Sequence, residues 1–522
     1  MKKLLVILLS LLMLTACGGT SDEEEVNVMQ NANVRKAVSY AIDRATLATS
    51  LNDGSVAAEG IIPIGLASNP VTGADFRDDQ GVVVDFDVEL AKSYYQTACE
   101  ELGVDTISFE LLYGTNEGDS VIKAAEQCQY YLEEAGFTVS LNGVQKKERL
   151  ELMNQGDYDV ALTRWGPDYG DPQTYMDLYV STNESNNSGR YNNADYDAYV
   201  AAAEETTDTT ERWENFLKAE IVLVQDDAGI VPLYQAGGAM LIRPGVSGIQ
   251  FHNAAVDNYR HIVGQDTVTI ATATDIVYLD TCQATDGTSF IAITNFTSGL
   301  TELDENGNPQ LDLAESYEMS EDGTVYTFKI RDDAFWSNGE PVTAADFVYA
   351  WDRLISEEMA SEYAFMVDTC NMESWEALDE KTIQVTLSRP NALLMQILAF
   401  PVLFPINQEF CEAQGDQYAT SADTVLCCGP YILDSWTPGY SYEFSLNENY
   451  WNYDSYVAAG NTSKQVFRVL TDSQTALMEY EQGNMDVVTL SGEQVTAYSG
   501  DEGFTTRLAG YLYYLSININ HK

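Results

Sequence analysis

The chain has 522 residues, 45% of them apolar and 11% aromatic, a globular composition long enough for two or three domains around a large core. Its 26 basic against 81 acidic side chains give a formal net charge of -55, a field that repels nucleic-acid phosphates and anionic lipid and argues against a nucleic-acid partner. Only three histidines occur, His252, His261 and His521, which argues against a histidine triad or a multi-histidine metal site.

Residues 1–17, MKKLLVILLSLLMLTAC, join a basic start to an apolar core that is short for a bilayer span. Leu14-Thr15-Ala16-Cys17 resembles a lipobox, in which Cys17 becomes the lipidated first residue. Residues 18–28 then read as an acidic tether. The expected location is the extracytoplasmic face of the membrane, with lipid as the only anchor. The other seven cysteines lack C-x-x-C zinc spacing, and Cys411 with Cys427 or Cys428 is the expected disulfide.

Asn31 caps a helix expected over 34–51, where Val34, Val38, Ala41 and Ile42 recur at helical spacing. Helices are expected over 87–103, 120–136 and 146–154, alternating with strands over 106–114, 137–144 and 158–163. Strands separated by helices of this length indicate an α/β lobe. After Gln265 the texture changes. Strands are expected over 266–274, 325–330, 382–390, 440–450 and 463–471. Thr343 and Asp346 form a capping box before DFVYAWDRLI. A short helix leads from Glu479 to the strand MDVVTL, and YLYYLSININ is a last β-prone run.

Trp336-Ser337-Asn338-Gly339-Glu340-Pro341-Val342-Thr343-Ala344-Ala345-Asp346-Phe347 resembles the W-S-D/N-G-x-P-h-T-A-x-D-h pattern of extracellular solute-binding proteins of family 5, the oligopeptide-, dipeptide- and nickel-binding components of ABC importers. CCGPYILDSWTPG, NENYW, NANVRKAVSYAIDR, YDVALTRWGPDYGDPQTY and GIVPLYQ resemble further segments of that family. The resemblance implies an α/β, two-lobed periplasmic-binding-protein-like fold of type II, cluster C-like. It implies capture of oligopeptides, with ABC permease subunits as partners, no catalysis, no cofactor and a monomer.

The order departs from the family pattern. There the W-S-N-G half comes first, whereas here NANVRKAVSYAIDR follows the leader and YLYYLSININHK ends the chain. The order is that of a circular permutation, with the old ends fused near Gln265-Asp266. On this reading residues 29–235 form one lobe, 236–264 a crossover and packing segment, and 265–522 the other lobe. One covalent crossing is expected to remain, near Gln235 to Arg243, leaving a looser hinge.

The resemblance also implies site residues. Asp168, within Trp165-Gly166-Pro167-Asp168, would pair with a peptide's α-ammonium, because a desolvated ammonium needs a fixed carboxylate. The structural reading of Asp168 is a turn start, and Asp171 reads as structural. Trp165 and Gly166 would line the cleft. Tyr363, Thr285, Thr288 and Tyr113 would touch ligand, and Arg164 would meet the ligand's carboxylate, with Lys146 as an alternative. The net acidity reads either as a solvated surface or as a preference for cationic peptides. Another solute (a dipeptide, nickel chelate, haem or sugar) and a secreted hydrolase stay open. No G-x-S-x-G, H-E-x-x-H or P-loop motif supports the hydrolase.

Overall fold

A computed structural model describes residues 27–183, 186–206, 208–253 and 256–519. Cys17, most of the acidic tether and His521 lie outside the described residues. The architecture is mixed α/β with two lobes, organised by a sheet of eleven strands. Along its path lie Tyr431–Thr437, Ser441–Leu446, Lys464–Val469, Thr267–Thr272, Val487–Leu490, Ile230–Ile242, Phe504–Ile517, Val160–Trp165, Ser108–Gly114 and Thr138–Val144. A separate antiparallel sheet of four strands carries Val325–Ile330.

The strands Ile230–Ile242 and Phe504–Ile517 run through both lobes as an antiparallel pair. Gly237 to Leu241 pair with Phe504 to Leu508 on the side that continues into Val487–Leu490. Ile230 to Gln235 pair with Leu512 to Ser516 on the side that continues into Val160–Trp165. The expectation of a single crossing is therefore corrected. The final β-prone run starts earlier in the chain than its apolar stretch suggests, so it bridges the lobes as well.

Side chains of a strand alternate between faces, and these strands use both. Tyr513, Leu515 and Ile517 join a core with Val34, Val38 and Leu132. Leu512 and Tyr514 point the other way, into a core with Tyr175, Tyr196 and Phe216. The second lobe has its own core around Trp336, Phe347 and Trp351. Between the paired stretches the register shifts from Leu508 to Leu512. Gly510 lies in this bulge, and a Cβ there would strike the carbonyl oxygen of Asn253 and the ring of Pro167.

The W-S-N-G motif has a structural role. The Asp346 carboxylate accepts from the Thr343 backbone N–H at 2.8 Å and from the buried Trp336 indole at 3.2 Å. It thereby caps the helix Ala344–Leu354 and fixes the loop before it. The Ser337 N–H donates to the Cys427 carbonyl, which ties the motif to the C-C-G-P segment.

Two local expectations change. The helix expected over 34–51 breaks at Ile42. Asp43 caps a second helix, Arg44–Leu51, by accepting from the Thr46 N–H at 3.0 Å. The expected Cys411 disulfide is absent, and all seven described cysteines carry free thiols. Cys411 packs on the Tyr349 hydroxyl at 3.5 Å, whereas Cys427 and Cys428 face Ser337 and Ser298.

Candidate functional site

The strand Val160–Trp165 ends at the lobe junction, and the turn after it carries Gly166, Pro167 and Asp168. The Asp168 N–H donates to the Thr174 hydroxyl at 3.1 Å, which fixes the backbone of the turn. Its carboxyl enters a small interlobe cavity shared with Tyr169, His252, Asn258 and Phe400. Among the described residues no cation pairs with it. Burial pushes the carboxyl up to about 7. His252 is also buried there, and desolvation holds its imidazole below its ordinary value. Arg260 and Glu302 also line the cavity, but they are paired with each other at 3.1 Å, which leaves the desolvated Asp168 carboxyl to answer an incoming ammonium.

Tyr363 approaches from the other lobe. Its ring stacks on Phe400 at 5.6 Å and meets Phe290 edge-on at 5.5 Å. Burial, and next the Asp168 carboxylate, push the Tyr363 hydroxyl up.

Tyr511 joins this group and was not legible as a site residue. It sits in the bulge of the crossing strand and is 41% exposed. A Cβ on Gly166 would drive into its ring, so the glycine is what lets Tyr511 lie against the turn. The Arg164 guanidinium lies over the same ring, 4.7 Å from its centroid, and donates to the Tyr513 hydroxyl at 3.1 Å. The only signal in the sequence was a tyrosine inside a β-prone run, which reads equally well as packing.

The other expected residues are scattered. Trp165 is half-buried, its carbonyl accepts from the Tyr175 hydroxyl at 3.1 Å, and its buried indole N–H has no hydrogen-bond partner among the described residues. Asp171 forms a two-pronged ion pair with Arg212 at 2.6 and 2.7 Å. Thr288 lies on a different cavity, of about 280 Å³, beside Gly237, Tyr442 and Arg507. Thr285 is exposed just before the helix Gly287–Phe296. Tyr113 lies over Gly143 and packs on the core of the first lobe. Lys146 is exposed at the start of the helix Lys146–Gln155. The structure thus groups Gly166 and Arg164 around Tyr511, with Asp168 in the same turn, sets Tyr363 on Phe290 and Phe400, and leaves Thr285, Thr288 and Tyr113 apart.

A larger interlobe cavity, of about 500 Å³, shares Tyr169 with the first. Asp177, Glu204 and Arg212 wall it on one side, and Phe365, Asp368 and Arg389 on the other. Among the described residues there is no cluster of His, Cys, Asp and Glu suited to a metal ion, and no helix long and apolar enough to cross a membrane.

The family described as bacterial extracellular solute-binding proteins, family 5 (middle), matches residues 17–187 and 308–522. A dipeptide-binding protein of Lactococcus lactis subsp. cremoris is 33% identical over 276 residues, which is 49% of this chain and 50% of the relative. The oligopeptide-binding protein OppA of Bacillus subtilis is 28% identical over 236 residues, 43% of each chain. The chain spans about half the length of these curated relatives. Among solved structures, Listeria monocytogenes OppA bound to peptide aligns with a TM-score of 0.44 at 30% identity, covering 46% of this chain and 49% of that one.

Proposed function

The chain belongs to the bacterial extracellular solute-binding proteins of family 5, and from that premise we propose that it captures peptides outside the cytoplasm and delivers them to the permease subunits of an ABC importer. The observation that carries this reading is the Asp168 carboxyl. It is desolvated between the lobes and lacks a paired cation among the described residues. A peptide's α-ammonium supplies the missing charge, and closure of the lobes removes the pair from water.

In this proposal Cys17 carries the lipid anchor, the chain acts as a monomer without catalysis or cofactor, and residues 29–235 form one lobe and 265–508 most of the other, with Leu512–Ile517 returning to the first. The halves are a circular permutation of the family order. Its support is that the Asn27 side-chain amide donates to the Asn518 carbonyl at 3.1 Å. The Gln265 and Asp266 carbonyls are held by the Thr462 hydroxyl at 2.6 and 3.0 Å in a continuous turn. A dipeptide, nickel chelate, haem or sugar is the competing ligand class, and peptide hydrolysis the competing activity.

Native mass spectrometry of the leader-free protein with a mixed peptide library, in free and N-acetylated copies, tests the reading. Retention of intact free-amine peptides is the expected result. Equal retention of both sets removes the ammonium anchor, retention of no peptide removes peptide capture, and release of shortened peptides favours the hydrolase.

A further inference from the structure

The bulge in the crossing strand joins the lobes at a point where the ladder is interrupted. Leu508 pairs with Gly237 and Leu512 with Gln235, so Ala509, Gly510 and Tyr511 face the single residue Ala236. Pairing resumes on either side of the gap. On the first-lobe side it is stiffened by the Tyr513 ring, which stacks on Tyr234 with centroids 4.5 Å apart. A rotation of one lobe against the other therefore concentrates its backbone change in the bulge.

A bulge strips carbonyls of their ladder partners, and a buried carbonyl needs a donor. Two side chains supply one. The buried Gln235 amide donates to the Ala509 carbonyl at 3.0 Å. The Tyr175 hydroxyl donates to the Gly510 carbonyl at 2.5 Å. Tyr175 is fully buried in the core that also holds Leu512 and Tyr514. Burial pushes its phenol well above the ordinary value, so it stays protonated and remains a donor.

Tyr175 belongs to the segment that carries Asp168. It lies in the short helix Gln173–Met176, just after the turn. That segment is braced within itself. The Asp168 N–H is held by the Thr174 hydroxyl, and the Asp171 carboxylate accepts from the Gln173 N–H at 2.9 Å. The Tyr175 hydroxyl has a second acceptor inside the segment, the Trp165 carbonyl at 3.1 Å. One phenol carries one proton, and the shorter distance assigns it to Gly510. The two acceptors sit on different elements, Trp165 at the start of the Asp168 turn and Gly510 in the bulge. If the bulge moves away, the proton still has a partner and no donor is orphaned.

We propose that Tyr175 is a positioning residue that couples closure of the lobes to the Asp168 turn. In the closed state its hydroxyl donates to Gly510, as in the structure, and draws the turn onto the bulge. As the lobes open the bond passes to Trp165 and the turn is released. Gly510 permits the close approach, since a Cβ there would strike Pro167, the neighbour of Asp168. The inference rests on the peptide-capture reading and adds to it the route by which a hinge movement reaches the anchor.

The test is native mass spectrometry with the mixed peptide library, in free and N-acetylated copies, on the unmodified leader-free protein, Tyr175→Phe and Tyr196→Phe. Tyr196 is the control. Its buried hydroxyl donates to the Met176 carbonyl at 2.5 Å, in the same core and on the same helix, without reaching the bulge. Both substitutions keep the ring, and both are expected to lower the urea midpoint. The ratio of free-amine to acetylated peptide retained is expected to fall about fivefold in Tyr175→Phe, the equivalent of one hydrogen bond, and to stay unchanged in Tyr196→Phe. A ratio unmoved by Tyr175→Phe, or lowered equally by both, overturns the coupling while leaving peptide capture standing. Equal retention of both sets by the unmodified protein removes the anchor and the coupling together. Retention of no peptide overturns the capture reading and the coupling with it.

Discussion

The side-chain amide of Asn27 donates to the main-chain carbonyl of Asn518 at 3.1 Å, although 491 positions separate them in the chain. Asn518 is itself buried and donates to the carbonyls of Gly156 and Tyr158 at 2.9 and 2.7 Å. The helix Ala32–Ala41 therefore starts beside the end of the strand Phe504–Ile517, the adjacency that the proposed permutation requires.

That proximity makes a direct test of the permutation possible. A re-ordered chain, with residues 519 and 27 joined and the chain opened between Gln265 and Asp266, is expected to keep the fold. Its peptide affinity is expected within about threefold of the original, because both crossing strands are present in either order. Calorimetry on the two proteins checks it, and a tenfold gap would contradict the equivalence of their hinges.

Asp168 carries a pH prediction. Burial pushes its carboxyl up to about 7, and only the ionised form answers an ammonium. Peptide affinity is expected to fall as pH drops below 7, by up to about tenfold per unit, while burial keeps His252 neutral above pH 7. Because the folded value lies above the unfolded one, the ligand-free protein loses stability as pH rises from about 4 to 7. Asp168→Asn is accordingly expected to flatten the affinity profile, weaken free-amine peptides at least tenfold and raise the melting temperature at pH 8. A lower melting temperature at pH 8, or a profile that keeps its slope, would count against the assignment.

Gly510→Ala is expected to destabilise by about 1–3 kcal/mol, because the new Cβ meets the Asn253 carbonyl and the Pro167 ring. The same shift displaces Tyr511 and the Asp168 turn, so a loss of peptide affinity is expected alongside the loss in denaturant midpoint. Unchanged values of both would mean that the bulge gives way freely.

The most recognisable motif is expected to be silent in binding. Asp346→Ala removes the acceptor for the Thr343 N–H and the Trp336 indole, at a cost of about 2 kcal/mol. Urea denaturation is expected to show that loss, with the ranking of peptides by affinity preserved.

Much of the fold was readable because local signals agreed with tertiary packing. Val325–Ile330 alternates buried and less buried side chains, and the strand has the expected limits. Asn31 and Asp43 each accept from backbone N–H groups, but nothing local told the first helix to stop at Ile42. Asp168 could be singled out because its turn carries a recognisable motif. Tyr511 could not, since its role depends on a bulge set by two strands far apart in sequence.

The crossing strands also impose an order on biogenesis. Phe504–Ile517 lies between Val160–Trp165 and Ile230–Ile242 and is hydrogen-bonded to both. Both neighbours are therefore synthesised before it, and the sheet they belong to keeps its middle slot empty until residues 504–517 follow. Until then two strand edges stay open, which is the condition that invites mispairing between nascent chains. A chain with this order of halves has a stronger need than its re-ordered counterpart to be held unfolded until its translocation is complete.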